Sequence, residues 1–127
     1  MNYLADTHIL IWYIEGNKKL SKKIISILEN SQNKIFISNA ALWEIAIKAS
    51  IGKLSLSISL TKFESFLSEN NFELLEYDYA DMEKLILLPL HHSDPFDRMM
   101  IAQAIVKNLS VISDDEKFRQ YPIKLVL

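Results

Sequence analysis

Cysteine is absent from this 127-residue chain. That gap removes disulfides, thiolate zinc sites and cysteine nucleophiles together, and it fits a reducing compartment. Glycine and proline are scarce, at 2 and 3 residues, while 50% of the residues are hydrophobic. Such a balance argues against a disordered or repetitive chain and for one domain over residues 1–127 with a real core. No apolar run approaches the roughly 18 residues of a membrane span. The opening Met1-Asn2-Tyr3-Leu4-Ala5-Asp6 has no basic stretch ahead of an apolar one, so no signal peptide is visible. A soluble cytoplasmic protein is expected. A strong charge of one sign is missing too: the formal net charge is −2. That argues against a simple electrostatic grip on nucleic acid, though not against a nuclease that recruits its positive charge as metal ions. Lys18, Lys19, Lys22 and Lys23 do cluster, and are read as a solvated helix face.

Short apolar runs suited to strands stand at Tyr3–Ala5, Lys34–Ile37, Glu73–Tyr77, Leu109–Ser113 and Lys124–Leu127, with helical spacing between them. Ser21 precedes Ile24, Ile25 and Leu28 as a plausible N-cap. Leu42, Ile45, Ala46 and Ala49 follow Ser38 and stop at Gly52, a suitable end for a helix. Phe63, Phe66 and Leu67 follow Thr61; Met82, Leu85 and Ile86 stop before Pro89. A last helix runs from the Asp94–Asp97 region to about Lys107. The segment KLSLSISL, Lys53 to Leu60, alternates as a strand does, but an extended connection fits equally well. Strands separated by helices predict an α/β fold with a mainly parallel sheet and helices on both faces.

In such a fold the active crevice lies beyond the carboxyl ends of the strands. Several acids meet that condition. Asp6 ends the first strand, Asp114 and Asp115 follow LSVIS, Asp94 and Asp97 open the late helix, and Glu44 lies about one turn into the helix after the second strand. Acids at helix starts are also ordinary caps, so spacing alone leaves capping and metal binding both open. If they converge, their repulsion calls for a cation. An oxygen-only set without cysteine or an H-x-x-x-H pair favours Mg²⁺ or Mn²⁺ over zinc.

Four stretches carry more. LADTHILIW (Leu4–Trp12), ISNAALWEIAIKASIGKL (Ile37–Leu54), HHSDPFDRMMIAQA (His91–Ala104) and SVISDDEKF (Ser110–Phe118) together resemble PIN-domain ribonucleases, and more narrowly the toxins of VapBC-type toxin–antitoxin pairs. The resemblance implies a three-layer α/β/α sandwich with a mainly parallel central sheet. It also implies a quartet of acids that binds Mg²⁺ or Mn²⁺ and cuts RNA by phosphodiester hydrolysis. By position the quartet is Asp6, Glu44, Asp97 with Asp94 close behind, and Asp115, with Ser113 in the hydroxyl place. Asp114 stands where the family has a non-acidic residue. A small antitoxin is the implied protein partner; its apolar helix is expected to sit on exposed hydrophobic residues of the early helices, with Ile11, Trp12 and Ile14 as candidates, and to aim an Arg or Lys at Asp6, Glu44 and Asp97. Homodimers or toxin–antitoxin hetero-oligomers are implied as well.

Other residues have plainer readings. His8 suits a half-buried structural role, and His91 and His92 suit a surface loop, because adjacent side chains diverge. Trp12 and Trp43 could stack bases, but Trp43 beside Leu42 and Ile45 reads as core. Glu44 and Lys48 are four apart and could be an exposed ion pair. Arg98 could hold phosphate or pair with a carboxylate. Thr7 and Ser38 could bond the acids or only cap helices. Two rival functions remain: a PIN-like module that binds RNA or a partner without cutting, and a phospho-accepting receiver domain. The receiver needs a second acid after the first strand and a lysine after a late one, and the chain has neither there.

Overall fold

A computed structural model describes residues 1–127. The strands are β1 (Asn2–Ala5), β2 (Lys34–Ser38), β3 (Phe72–Leu75), β4 (Ser110–Ile112) and β5 (Leu125–Val126). The helices are α1 (Thr7–Glu15), α2 (Lys22–Glu29), α3 (Asn39–Ser50), α4 (Leu60–Glu69), α5 (Tyr79–Leu87) and α6 (Pro95–Lys107), with a 3-10 turn at Glu116–Gln120. The five strands form one sheet in the order β3-β2-β1-β4-β5, every pairing parallel. Helices flank this sheet in an α/β/α sandwich, as parallel crossovers require.

β1 is the central strand, and its sequence says why. Tyr3, Leu4 and Ala5 are all buried, since helices cover both faces and no polar alternation is tolerated. Ala5 pairs with Ile37 on one side and Ile112 on the other, so β1, β2 and β4 end level. The chain leaves β1 towards β2 and β3, then returns past it to β4. That reversal between β1 and β4 makes the crevice at their carboxyl ends the natural ligand position. Leu4, Leu10, Ile35, Ile45, Met100 and Phe118 are among the fully buried side chains that hold the layers together. Each contributes about 1.5–3 kcal/mol of burial.

α6 begins with Asp94 as N-cap and Pro95 at the first helical position, and ends at Asn108 in the left-handed region (φ 55). Met100 to Ala104 are buried without a gap, so this helix passes through the core rather than along its surface. It also carries Lys107, whose ammonium pairs with the fully buried Asp81 of α5 at 2.7 Å. Asp81 shares a capping box with Asp78, so this interior carboxylate is both paired and hydrogen-bonded, as burial demands. No helix is long and apolar enough to cross a membrane.

Three expectations shift. β3 starts at Phe72 and stops at Leu75, earlier than the Glu73–Tyr77 run, because the chain leaves the sheet edge to reach the Asp78 cap. KLSLSISL is the extended connection: Leu54, Leu56 and Ile58 pack on the core, and the chain makes neither helix nor strand until α4 begins at Leu60. Trp43 is not core but 57% exposed. α3 buries Ala40, Ala41, Glu44 and Ile45. Glu44 therefore takes the inward phase, and Trp43, one position earlier, turns out to meet Phe96 edge-on at 5.4 Å.

Candidate active site

The structure gathers the acids named from sequence at the level ends of β1 and β4. Asp6 leaves β1 directly into α1 and caps it, its Oδ1 accepting from the Ile9 N–H at 3.0 Å. Its Oδ2 accepts a short hydrogen bond from Ser113 Oγ. Ser113 follows β4 and also accepts from the Asp115 N–H at 3.0 Å. One hydroxyl thus ties the first and last acids of the set together. Asp6 is only 4% exposed. Burial pushes its carboxyl up to about 6, with the bonds from Ser113 and Ile9 pulling the other way.

Asp97 lies in the first turn of α6 and is the most strongly displaced group. Its carboxyl is pushed up to about 8 by burial first, and then by the charges of Asp94, Asp6, Glu44 and Asp115. Those are the acids proposed from sequence, and their fields meet at this one side chain. Asp94 is placed chiefly as the cap, its Oδ1 accepting from the N–H groups of Phe96 and Asp97 at 2.9 Å. Asp115 caps the 3-10 turn through Lys117 N–H at 2.9 Å, while its Oδ2 faces Asp97 across the crevice. Asp114 is exposed, though its charge still reaches Asp6.

Glu44 is 3% exposed. Thr7 Oγ donates to its Oε1 at 2.7 Å, and Lys48 Nζ forms an ion pair with its Oε2. The Glu44–Lys48 pair is therefore a half-buried feature of the crevice, not an exposed ornament. Glu44 together with the charges of Asp94 and Asp97 holds the Lys48 ammonium above its ordinary value. Beside it an open groove of about 420 Å³ runs between α1 and α3, lined by His8, Ile11, Trp12, Glu44, Lys48 and Lys53 among others.

Sequence reasoning missed His92. It is 6% exposed, not a surface-loop residue. Its Nε2 lies 2.9 Å from Asp97 Oδ2 and 3.0 Å from Asp115 Oδ2. His92, Asp97 and Asp115 can each offer a ligand atom with all such atoms within 4.8 Å of one another. The one available signal was its position two residues ahead of Asp94. Other placements differ from expectation too. His8 is exposed and tilts against Trp12, with ring centroids 6.0 Å apart. Arg98 pairs with no carboxylate: it donates to the carbonyls of Leu85 and Pro89 at 3.3 and 3.0 Å and closes the end of α5. Ser38 caps α3 and donates to Gln103 Oε1 at 2.6 Å rather than to an acid. Ile11, Trp12 and Ile14 are half-buried against the core.

The donor set fits a hard divalent cation. Asp6, Glu44, Asp94, Asp97 and Asp115 supply oxygen only, and Lys48 is the cation that bonds directly to one of them. Asp97 would hold its proton near neutral pH without further positive charge. A cation would displace that proton and take oxygens from more than one carboxylate.

Comparison with known proteins agrees with this architecture. A family model described as "PIN domain" matches residues 3–124. No curated protein sequence matches the chain. Among solved structures, the DNA-bound VapBC from Salmonella typhimurium is similar at a TM-score of 0.75 and 22% identity, covering 99% of this chain and 97% of that one. VapBC2 from Rickettsia felis, bound to a promoter DNA fragment, is similar at 0.73 and 20%, covering 99% and 98%. VapBC-1 from nontypeable Haemophilus influenzae is similar at 0.69 and 18%, covering 99% and 97%.

Proposed function

The chain belongs to the PIN-domain family, and on that premise we propose that it is an Mg²⁺- or Mn²⁺-dependent endoribonuclease, the toxin of a toxin–antitoxin pair. The observation that carries the reading is the field at Asp97: four other carboxylates act on one half-buried carboxyl at the fold's switch point. Such a cluster is costly unless a cation or substrate chemistry uses it.

When bound, the cation supplies Lewis acidity that offsets phosphate charge and eases loss of a proton from the attacking water. The rest falls to the protein. Asp6 and Asp97 are the principal ligands in this reading, with Asp115 and Glu44 completing the set and Asp94 held at its rim. Ser113 fixes Asp6 through Oδ2, leaving the orientation of that carboxylate little freedom. Thr7 fixes Glu44 in the same way. Both Glu44 oxygens already accept, which suits an outer or proton-accepting role rather than the first bond to a cation. Lys48 stands where a phosphate arriving at the crevice would meet a positive charge. Trp12, Lys48 and Lys53 offer a stacking face and cations along the groove for the flanking RNA.

A small antitoxin is the expected partner, since the similar folds include VapBC complexes. It would lay an apolar helix in the groove beside Ile11 and Trp12 and direct a cation at Asp6, Glu44 and Asp97. Exposed Ile86, Leu87 and Leu90 give apolar surface for assembly with a further chain. The test is cleavage of a mixed RNA substrate by purified protein with Mn²⁺, with EDTA, and with Asp6→Asn. Cutting that needs Mn²⁺ and disappears in the variant is expected. Cutting that survives EDTA, or the variant cutting at the wild-type rate, would refute it.

A further inference from the structure

Every polar atom of His92 has a partner. Its backbone N–H and that of His91 donate to the Tyr121 hydroxyl at 2.9 and 3.1 Å, and that hydroxyl donates to the Pro89 carbonyl at 2.7 Å. Arg98 reaches the His92 carbonyl at 3.5 Å. The ring stands edge-on to Phe118, at 5.9 Å and 82°. Its Nδ1 accepts from the Asp94 N–H at 3.2 Å. A ring nitrogen that accepts carries no proton, so in the neutral ring the proton sits on Nε2. That is the atom turned towards Asp97 and Asp115.

Resting on the nuclease reading above, we infer that His92 is a positioning residue for the metal site. Its Nε2–H holds Asp115 beside Asp97, and the ring itself stays outside the coordination sphere.

The two carboxylates come from different elements, one in the rigid first turn of α6 and the other on the short turn after β4. Asp115 keeps 35% of its side chain exposed, and once Asp97 gives up its proton to a cation's field the two like charges would swing apart if nothing held them. A shared neutral N–H offsets that repulsion without adding a full positive charge, so the pair can still attract a divalent cation. A lysine in the same place would compete with the metal. Direct ligation through Nε2 would need the proton on Nδ1, where it would face the Asp94 N–H, donor against donor. The compact His92, Asp97 and Asp115 grouping thus resembles a mixed imidazole–carboxylate site, but the backbone of Asp94 turns the imidazole into a donor.

The test uses the full chain and Mn²⁺. His92→Ala should weaken Mn²⁺ binding by about 10–100-fold, the usual effect of removing a partner that orients a ligand. His92→Gln, whose amide N–H reaches the Nε2 position, should recover most of it. Nitrogen NMR of the metal-free wild type should show the Nε2–H tautomer. Pulsed electron paramagnetic resonance of the Mn²⁺-loaded wild type should show no directly bound imidazole nitrogen. A coordinated-nitrogen signal would make His92 a ligand and overturn the inference, as would wild-type affinity in the alanine form. If the alanine form does not fold, weak binding by the glutamine form or an Nδ1–H tautomer in the wild type overturns it instead. A wild type that binds no Mn²⁺ at all would sink the nuclease reading and this inference with it. Normal wild-type binding with indifferent His92 variants would sink this inference alone.

Discussion

Replacing Asp97 with asparagine should stabilise the metal-free protein and remove its response to metal. The Asp97 carboxyl is raised from 3.8 to about 8 on folding, by burial and by Asp94, Asp6, Glu44 and Asp115. A carboxyl displaced upwards binds its proton more tightly in the folded state. Its stabilising contribution is therefore complete below about 3.8 and is lost as pH rises through about 8. A gap of about 4 units at ~1.4 kcal/mol each sets a ceiling near 6 kcal/mol for that loss. Partial solvent access, with 19% of the side chain exposed, lowers the realised value. We expect about 3–4 kcal/mol. Asparagine has nothing to ionise and keeps an oxygen that can accept from His92. Urea unfolding in EDTA should thus find Asp97→Asn above wild type by ~3–4 kcal/mol at a pH near 9, with the two within about 1 kcal/mol near pH 4. Excess Mn²⁺ should then stabilise wild type and leave the variant almost unchanged. A variant that is less stable than wild type at high pH, or a wild type whose stability relative to the variant is flat across this range, would refute the electrostatic account of the site.

Other outcomes follow from the same arrangement. Asp115→Asn should lose more RNA cleavage and more Mn²⁺ affinity than Asp114→Asn, because Asp115 faces Asp97 while Asp114 is exposed; the reverse order would move the ligand by one residue. Gln103→Leu should lower stability by about 1–3 kcal/mol in urea unfolding, since it strips the Ser38 hydroxyl and the Leu75 carbonyl of buried partners. Expression of the chain alone should arrest growth, co-expression of its antitoxin should rescue it, and Asp6→Asn should be harmless; arrest by the Asp6→Asn form at equal level would separate toxicity from metal-dependent cutting.

The parts of this protein that were legible in its sequence are those fixed by near neighbours. The all-apolar β1, the Asp94-Pro95 opening of α6 and the acids at strand ends each follow from local pattern, and the sheet brings them together as expected. His92, Trp43 and Arg98 were misread or left open because distant chain decides them. His92 is drawn inward by Tyr121, 29 residues on, and Arg98 is taken up by carbonyls of the preceding helix. Trp43 lost its core place to Glu44, whose inward turn answers to Thr7 rather than to hydrophobic phase. Nothing in a single stretch marks a carboxylate that will outrank a tryptophan for burial. KLSLSISL mimicked a strand because an extended chain laid on a core shows the same period of two, whether or not another strand pairs with it.

The Ser113–Asp6 bond spans 107 positions of chain, and this separation sets a schedule. A ribosome delivers about 5–20 residues per second, N-terminal parts first. Asp6 is made well before its partners: β1 cannot acquire its β4 neighbour, nor Asp6 its serine, until residues 110–113 have emerged. The crevice thus takes shape after β1, β2 and β3 can already pair. A fragment that stops short of Ser113 carries Asp6 without Asp115, so on the nuclease reading proposed above connectivity alone keeps a half-made product from assembling its acids.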